Sequence, residues 1–214
     1  MEKLNHNYSQ DAAQPPAQLR RICIYTGSSV GARQVYQQAA REMGRELVRR
    51  GIGMVYGGGR VGLMGIIASE MMAAGGEVIG VMPRALFPTE VGNTNITHLY
   101  EADSMHERKS MMADLSDGFI ALPGGFGTLD ELFEIVTWAQ LGIHTKPVGL
   151  LNVDGFYDPL LAMVRHLVAE EFVKSYHAAL ILSEEHPADL LDRFAVYSPP
   201  TKQSKWWTEL PPAR

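Results

Sequence analysis

Two groups of residues in this chain have the types and spacing to do chemistry. The first is the run Leu122-Pro123-Gly124-Gly125-Phe126-Gly127-Thr128-Leu129-Asp130-Glu131. It lies between a short apolar run, Gly118 to Leu122, and a breaker-free stretch of helical length, Leu129 to Leu141. Strand, glycine loop and helix in that order make an anion cradle. Glycine lets a ligand approach the main chain closely, and the helix turns its unpaired first N–H groups and the positive end of its dipole back toward the loop. A phosphate sits there without needing a lysine. Gly124, Gly125, Phe126, Gly127 and Thr128 are therefore candidate binding residues.

The second group is an acid and a guanidinium, Glu131 and Arg108. At about 100° per residue Glu131 falls between Ile135 and Trp138, on an apolar face where an unpartnered carboxylate is costly. The Thr128 to Glu131 spacing also fits a capping box, in which Glu131 would merely reach back to the Thr128 N–H. Arg108 projects from the middle of a stripe formed by Met105, Met111, Met112 and Leu115. An arginine placed so either snorkels or pairs. Pairing is expected, because the strand after its helix delivers the glycine loop and Glu131 to the same end of the sheet. Lys109 lies off the stripe centre and reads equally well as a solvated surface lysine.

The elements needed to hold these groups follow from the pattern of the chain. Residues 1–19 have the composition of a disordered arm, residues 20–197 form one domain, and residues 198–214 form a Pro- and Lys-rich tail. Strands are expected at Arg21 to Tyr25, Ile52 to Tyr56, Glu77 to Met82, Thr97 to Ala102, Gly118 to Leu122, Pro147 to Val153 and Leu180 to Leu182. Helices are expected between them. The one at Arg33 to Arg50 ends at a C′ glycine, Gly51, and the one at Met105 to Leu115 opens with a capping box, Ser104 and Glu107. Alternating strands and helices define an α/β, doubly wound, Rossmann-like parallel sheet in a single domain, with ligands at the carboxyl ends of the strands. Ser28, in the small polar turn after the first strand, belongs to that end.

Composition narrows the function. A 214-residue chain that is 46% hydrophobic and carries a net charge of −5 has a full-sized core and no basic surface for nucleic acid or an anionic membrane. The partner is a small molecule. The lone cysteine, Cys23, sits in an apolar run and reads as a buried structural thiol. There is no apolar stretch of membrane-spanning length, so the expected location is cytoplasmic. Histidines 98, 106, 144, 166 and 177 show no i, i+4 ligand pair and no cysteine partner, so no metal is expected.

A dinucleotide fingerprint, G-x-G-x-x-G, is literally present at Gly57 to Gly62 between a strand and a helix. The acidic residue it requires at the end of the next strand is missing, because Glu77 stands at the wrong end and Pro83-Arg84 closes that strand. Gly58 and Gly59 are read instead as a second close-approach loop on the same crevice, with no cofactor. The helix at Leu129 to Leu141 is apolar nearly all round and needs cover on both sides, which points to a homodimer with this helix near the two-fold axis.

Arg108-Lys109 together with Pro123-Gly124-Gly125-Phe126-Gly127-Thr128-Leu129-Asp130-Glu131 resembles the signature of the LONELY GUY (LOG) family of cytokinin-activating phosphoribohydrolases, an Arg-Lys dipeptide paired with P-G-G-x-G-T-x-x-E. The resemblance covers roughly residues 20–195 and includes the Gly57-Gly58-Gly59 run. It implies hydrolysis of the N-glycosidic bond of a nucleoside 5′-monophosphate, with Arg108 and Glu131 as the catalytic pair and the glycine loop on the 5′-phosphate. It further implies that Glu90, Lys109 and Thr137 line the substrate site. Phe126 stands where many relatives have tyrosine, and Asp130 where glutamate is usual. Relatives have often been labelled lysine decarboxylases, but nothing here forms a recognisable pyridoxal phosphate lysine site. A nucleotide carrier or sensor using the same cradle without chemistry, and a Rossmann-type oxidoreductase, are the competing readings.

Overall fold

A computed structural model of the chain describes residues 19–84 and 92–200. Seven strands form a single, wholly parallel sheet: β1 (Arg21–Tyr25), β2 (Gly53–Tyr56), β3 (Val78–Pro83), β4 (His98–Ala102), β5 (Gly118–Ala121), β6 (Val148–Leu151) and β7 (Ile181–Glu184). Their spatial order is β4-β3-β2-β1-β5-β6-β7. The winding direction reverses between β1 and β5, and the crevice beyond the carboxyl ends of those two strands is where this class of fold binds ligands. The glycine loop follows β5, so the sheet order alone puts it there.

The α-helices are α1 (Gln34–Arg49), α2 (Gly62–Ala73), α3 (Met105–Asp114), α4 (Phe126–Leu141), α5 (Asp158–Ala169), α6 (Ser175–Ala178) and α7 (Pro187–Ala195). Side chains alternate across each strand, and so divide the core in two. Ile22, Ile24, Met54, Tyr56 and Ile120 face α1, α2 and α7, where Met43, Leu47, Ile67, Met71, Leu190 and Phe194 are buried. Cys23, Val55, Val81, Phe119 and Leu150 face α3, α4 and α5. Cys23 is fully buried, and desolvation holds its thiol well above the ordinary range.

Most elements lie within one to three residues of their expected bounds, and the largest departure is in the element that matters most. Helix α4 begins at Phe126, three residues before the expected Leu129, and its N-cap is Gly125 rather than Thr128. Thr128 is buried inside the first turn. The capping box between Thr128 and Glu131 therefore does not form, and the Glu131 side chain is left for another partner. The Ser104 cap does form: its hydroxyl accepts from the Glu107 N–H at 3.1 Å, while Glu107 reaches past it to the Asp103 N–H at 2.6 Å. Helix α6 and the short 3₁₀ turn Val153–Gly155 have no counterpart in the sequence reading. The expected arm and tail, for residues 1–18 and 201–214, and Glu90 lie outside the described residues.

Long-range contacts fix the loops at the crevice. The Gly27 N–H and the Thr26 hydroxyl both donate to the Pro123 carbonyl at 3.2 Å, and the Leu63 N–H donates to the Gly27 carbonyl at 3.1 Å. From below, the buried Tyr157 hydroxyl donates to the Leu122 carbonyl at 2.7 Å, and Asn152 in turn accepts from the Tyr157 N–H. Losing one partner of a buried hydrogen bond leaves the other desolvated, at about 1–3 kcal/mol. Tyr157→Phe is expected to lower the unfolding free energy by about that amount, as read from urea denaturation.

Candidate active site

Helix α3 begins at a firm cap and places Arg108 one turn in, beside the end of β3. Helix α4, capped by Gly125 and beginning at Phe126, places Glu131 in its second turn, over the end of β5. The two side chains meet. Arg108 Nη1 donates to Glu131 Oε1 at 2.7 Å, and Arg108 Nε donates to the Val81 carbonyl at 3.0 Å. Both side chains are nearly buried, at 11% and 13% exposure. The second carboxylate oxygen, Oε2, accepts no hydrogen bond among the described residues.

Burial dominates the electrostatics. Desolvation pushes the Glu131 carboxyl above its ordinary value, although Arg108 and, more weakly, Lys109 pull it back down. A carboxylate held this way is short of solvation and has a lone pair free, which suits it to meet a developing positive charge or to take a proton from water.

The pair lines a crevice of about 270 Å³. Arg108, Glu131, Phe126, Gly125, Gly127, Thr128 and Ser28 all face it, so most of the sequence-derived set is brought to one place. Gly124 lines the adjoining hollow of about 220 Å³ instead, with Ser29, Tyr36 and Phe156. A Cβ on Gly124 would fall 2.1 Å from the Thr128 hydroxyl oxygen, so the loop closes over its own helix only with glycine there. Gly58 and Gly59 are not among the residues lining the crevice; Gly58 O accepts from the Asn93 N–H at 2.9 Å and Gly59 bridges to Gly92.

Lys109 and Thr137 are not brought to the crevice. The Lys109 ammonium bridges Asp130 at 2.8 Å and Glu134 at 3.1 Å, and the Thr137 hydroxyl donates to the Phe133 carbonyl one turn earlier in α4, at 2.6 Å. Gly57 lines it as well, as part of the second glycine loop the sequence places on this crevice, whereas Met64, Met82, Pro83 and Met105 were not singled out by the sequence reading. Only Met105 carried a usable signal. It belongs to the α3 stripe by spacing, but it opens the helix and is 47% exposed, so it walls the crevice instead of entering the core.

A Rossmann-like sheet with a glycine loop, a helix N-terminus and a desolvated carboxylate at its switch point defines a doubly wound α/β protein with an acid in its ligand crevice. Residues 64–194 match the family model described as "Possible lysine decarboxylase". The chain is 47% identical over 196 residues to the cytokinin riboside 5′-monophosphate phosphoribohydrolase LOG of Oryza sativa subsp. japonica, covering 92% of this chain and 81% of that one. It is 48% identical over 179 residues to LOG4 of Arabidopsis thaliana, which bears the same description, covering 84% and 83%. The chain belongs to the LOG family. Among solved structures, the molybdenum cofactor binding protein of Rippkaea orientalis aligns at a TM-score of 0.60 with 21% identity, over 82% of this chain and 95% of that one. The molybdenum cofactor carrier protein of Chlamydomonas reinhardtii aligns at 0.59 with 19% identity, over 81% and 98%. At those identities the likeness is one of fold.

Removing Arg108 strands a buried carboxylate, a loss of about 3–5 kcal/mol for a pair of this kind. In Arg108→Ala the folded-state carboxyl titrates further above its unfolded value, so the folded form binds the proton more tightly and stability falls as pH rises. The destabilisation is expected to be largest at pH 7 and to shrink as pH drops through that raised value. Denaturant unfolding of both proteins at pH 5 and pH 7 checks this.

Proposed function

We propose that this protein hydrolyses the N-glycosidic bond of adenosine 5′-monophosphates, including N6-modified ones, releasing the free base, a cytokinin where the base is so modified, and ribose 5-phosphate. The observation that carries the reading is the desolvated Arg108–Glu131 pair beside the cradle, in a chain about half identical to proteins named for this reaction.

The cradle at the head of α4 takes the 5′-phosphate, and the crevice above Glu131 takes the ribose. As the C1′–N bond breaks, its electron pair leaves with the base and the ribose acquires oxocarbenium character. The Glu131 carboxylate stabilises that charge and, through Oε2, orients a ribose hydroxyl or the water that adds to C1′. A guanidinium is a poor general acid. With Nε on Val81 and Nη1 on Glu131 the Arg108 fork is largely committed, so its part is to keep Glu131 ionised and aimed. The water's protons end on the base and on the new C1′ hydroxyl, and no cofactor enters the balance.

Two other readings are weaker. A Schiff-base lysine needs a neutral amine, whereas Lys109, the lysine adjoining Arg108, is held charged, its hydrogen bonds to Asp130 and Glu134 outweighing the burial that opposes them. A carrier without chemistry has support only from fold-level neighbours. Glu131→Gln is expected to keep nucleotide binding while slowing base release by about 10² or more. Incubation with AMP and an N6-modified AMP, followed by detection of free base and ribose 5-phosphate, reads both.

We also infer a homodimer through α4 and a cytoplasmic location, the latter consistent with the single buried thiol. Leu132 and Ile135 of α4 are buried, but Phe133 and Leu141 are about two-fifths exposed and Ile143, just beyond the helix, is 64% exposed. Apolar surface exposed along one helix and just beyond its end suits a second copy. Light scattering at micromolar concentration is expected to give twice the 23.6 kDa chain mass. The chain mass itself would refute the dimer.

A further inference from the structure

Arg108 is held by three contacts, and the third is not a hydrogen bond but a fit against a residue with no side chain. Its Nε reaches the Val81 carbonyl and its Nη1 reaches Glu131, while Nη2 lies against the backbone of Gly57, the first residue after β2. A Cβ built on Gly57 would stand 2.3 Å from Nη2, well inside contact distance. The next nearest atoms are Arg108 Cζ at 3.5 Å and Met64 Sδ at 3.6 Å, both ordinary contacts, and no backbone atom is among the three nearest. The backbone itself does not require glycine here, because Gly57 is absent from the positive-φ residues that include its neighbour Gly58, at φ 77°. The guanidinium alone excludes a methyl group.

We propose that Gly57 is a positioning residue for the hydrolysis: its missing side chain is the seat that holds the Arg108 guanidinium in line with Glu131. This rests on the reaction assigned above and names a further residue for it. Because the obstructed atom is the free end of a long side chain, an added methyl displaces Arg108 and leaves the sheet intact. The 2.7 Å bond to Glu131 has little tolerance for such a displacement, since hydrogen bonds weaken steeply away from ideal distance and angle.

The test compares wild type, Gly57→Ala, Arg108→Ala and the double variant, with AMP and an N6-modified AMP as substrates. Gly57→Ala is expected to lower kcat by about tenfold to a hundredfold, with KM within about threefold of wild type and a melting temperature above that of Arg108→Ala, because the displaced guanidinium still neutralises Glu131 at longer range. In the Arg108→Ala background the same methyl is expected to change kcat by less than about twofold, because residues acting through one contact are not additive. Equal losses in both backgrounds would show the methyl acting on the nucleotide or the loop directly, and would overturn the proposal. So would an unchanged kcat in Gly57→Ala. A crystal structure of Gly57→Ala gives a readout independent of turnover. Arg108 Nη1 is expected to lie beyond hydrogen-bond reach of Glu131, and a retained contact of normal length overturns the proposal. If wild type releases no base from either nucleotide, the assigned reaction fails, while the crystal structure still decides whether Gly57 seats Arg108.

Discussion

The structure is arranged so that one carboxylate can be ionised in a place where it is poorly solvated. Glu131 and Arg108 come from different helices, reach each other over the ends of β3 and β5, and are both nearly buried. Such a pair is not a source of stability in itself. Desolvating two charges costs roughly what their attraction returns, and an apolar pair of the same shape would often be more stable. Its presence is therefore a sign of use. The surroundings of the pair are consistent with that: a carbonyl from β3 fixes Nε, and a helix cap at Ser104 sets the angle at which α3 leaves the sheet.

The parallel sheet makes this placement possible. Reversal of strand order between β1 and β5 opens a gap that no helix fills among the described residues, and the loops after β1, β2 and β5 line it. Those loops are tied to one another through main-chain groups, Gly27 to Pro123 and Leu63 to Gly27, so the cradle is shaped by backbone over most of its extent. Tyr157 extends the support from beneath by holding the Leu122 carbonyl. The apolar residues of the crevice, Met64, Met82, Pro83, Met105 and Phe126, form its walls. Methionine walls adapt to differently shaped groups.

Much of this could be read from the residues in order, and the reasons for the rest are physical. β1 is recovered to the residue because an apolar run meets a small polar turn with no competing signal. The meeting of Arg108 and Glu131 was legible because a charge in the middle of an apolar helical stripe has few options. The start of α4 was not, because Thr128 and Glu131 satisfy the local rule for a cap while the real cap is a glycine with no side chain to reveal it. The contacts of Arg108 with Val81 and Gly57, and of Tyr157 with Leu122, join residues 27, 51 and 35 positions apart, and nothing local encodes them. Lys109 and Thr137 were carried by resemblance alone, and both side chains are engaged elsewhere on α3 and α4.

On the proposed function the phosphate is gripped by main-chain N–H groups at the head of α4, so the grip has no side chain to lose. Sequence drift can erase Glu131 with a single base change in its codon and leave the grip whole, and the descendant would still recognise the same phosphate while doing nothing to it. On this scaffold the distance from a catalyst to an inert holder of the same molecule is one substitution. The return journey is as short, provided the seat for the guanidinium has been kept.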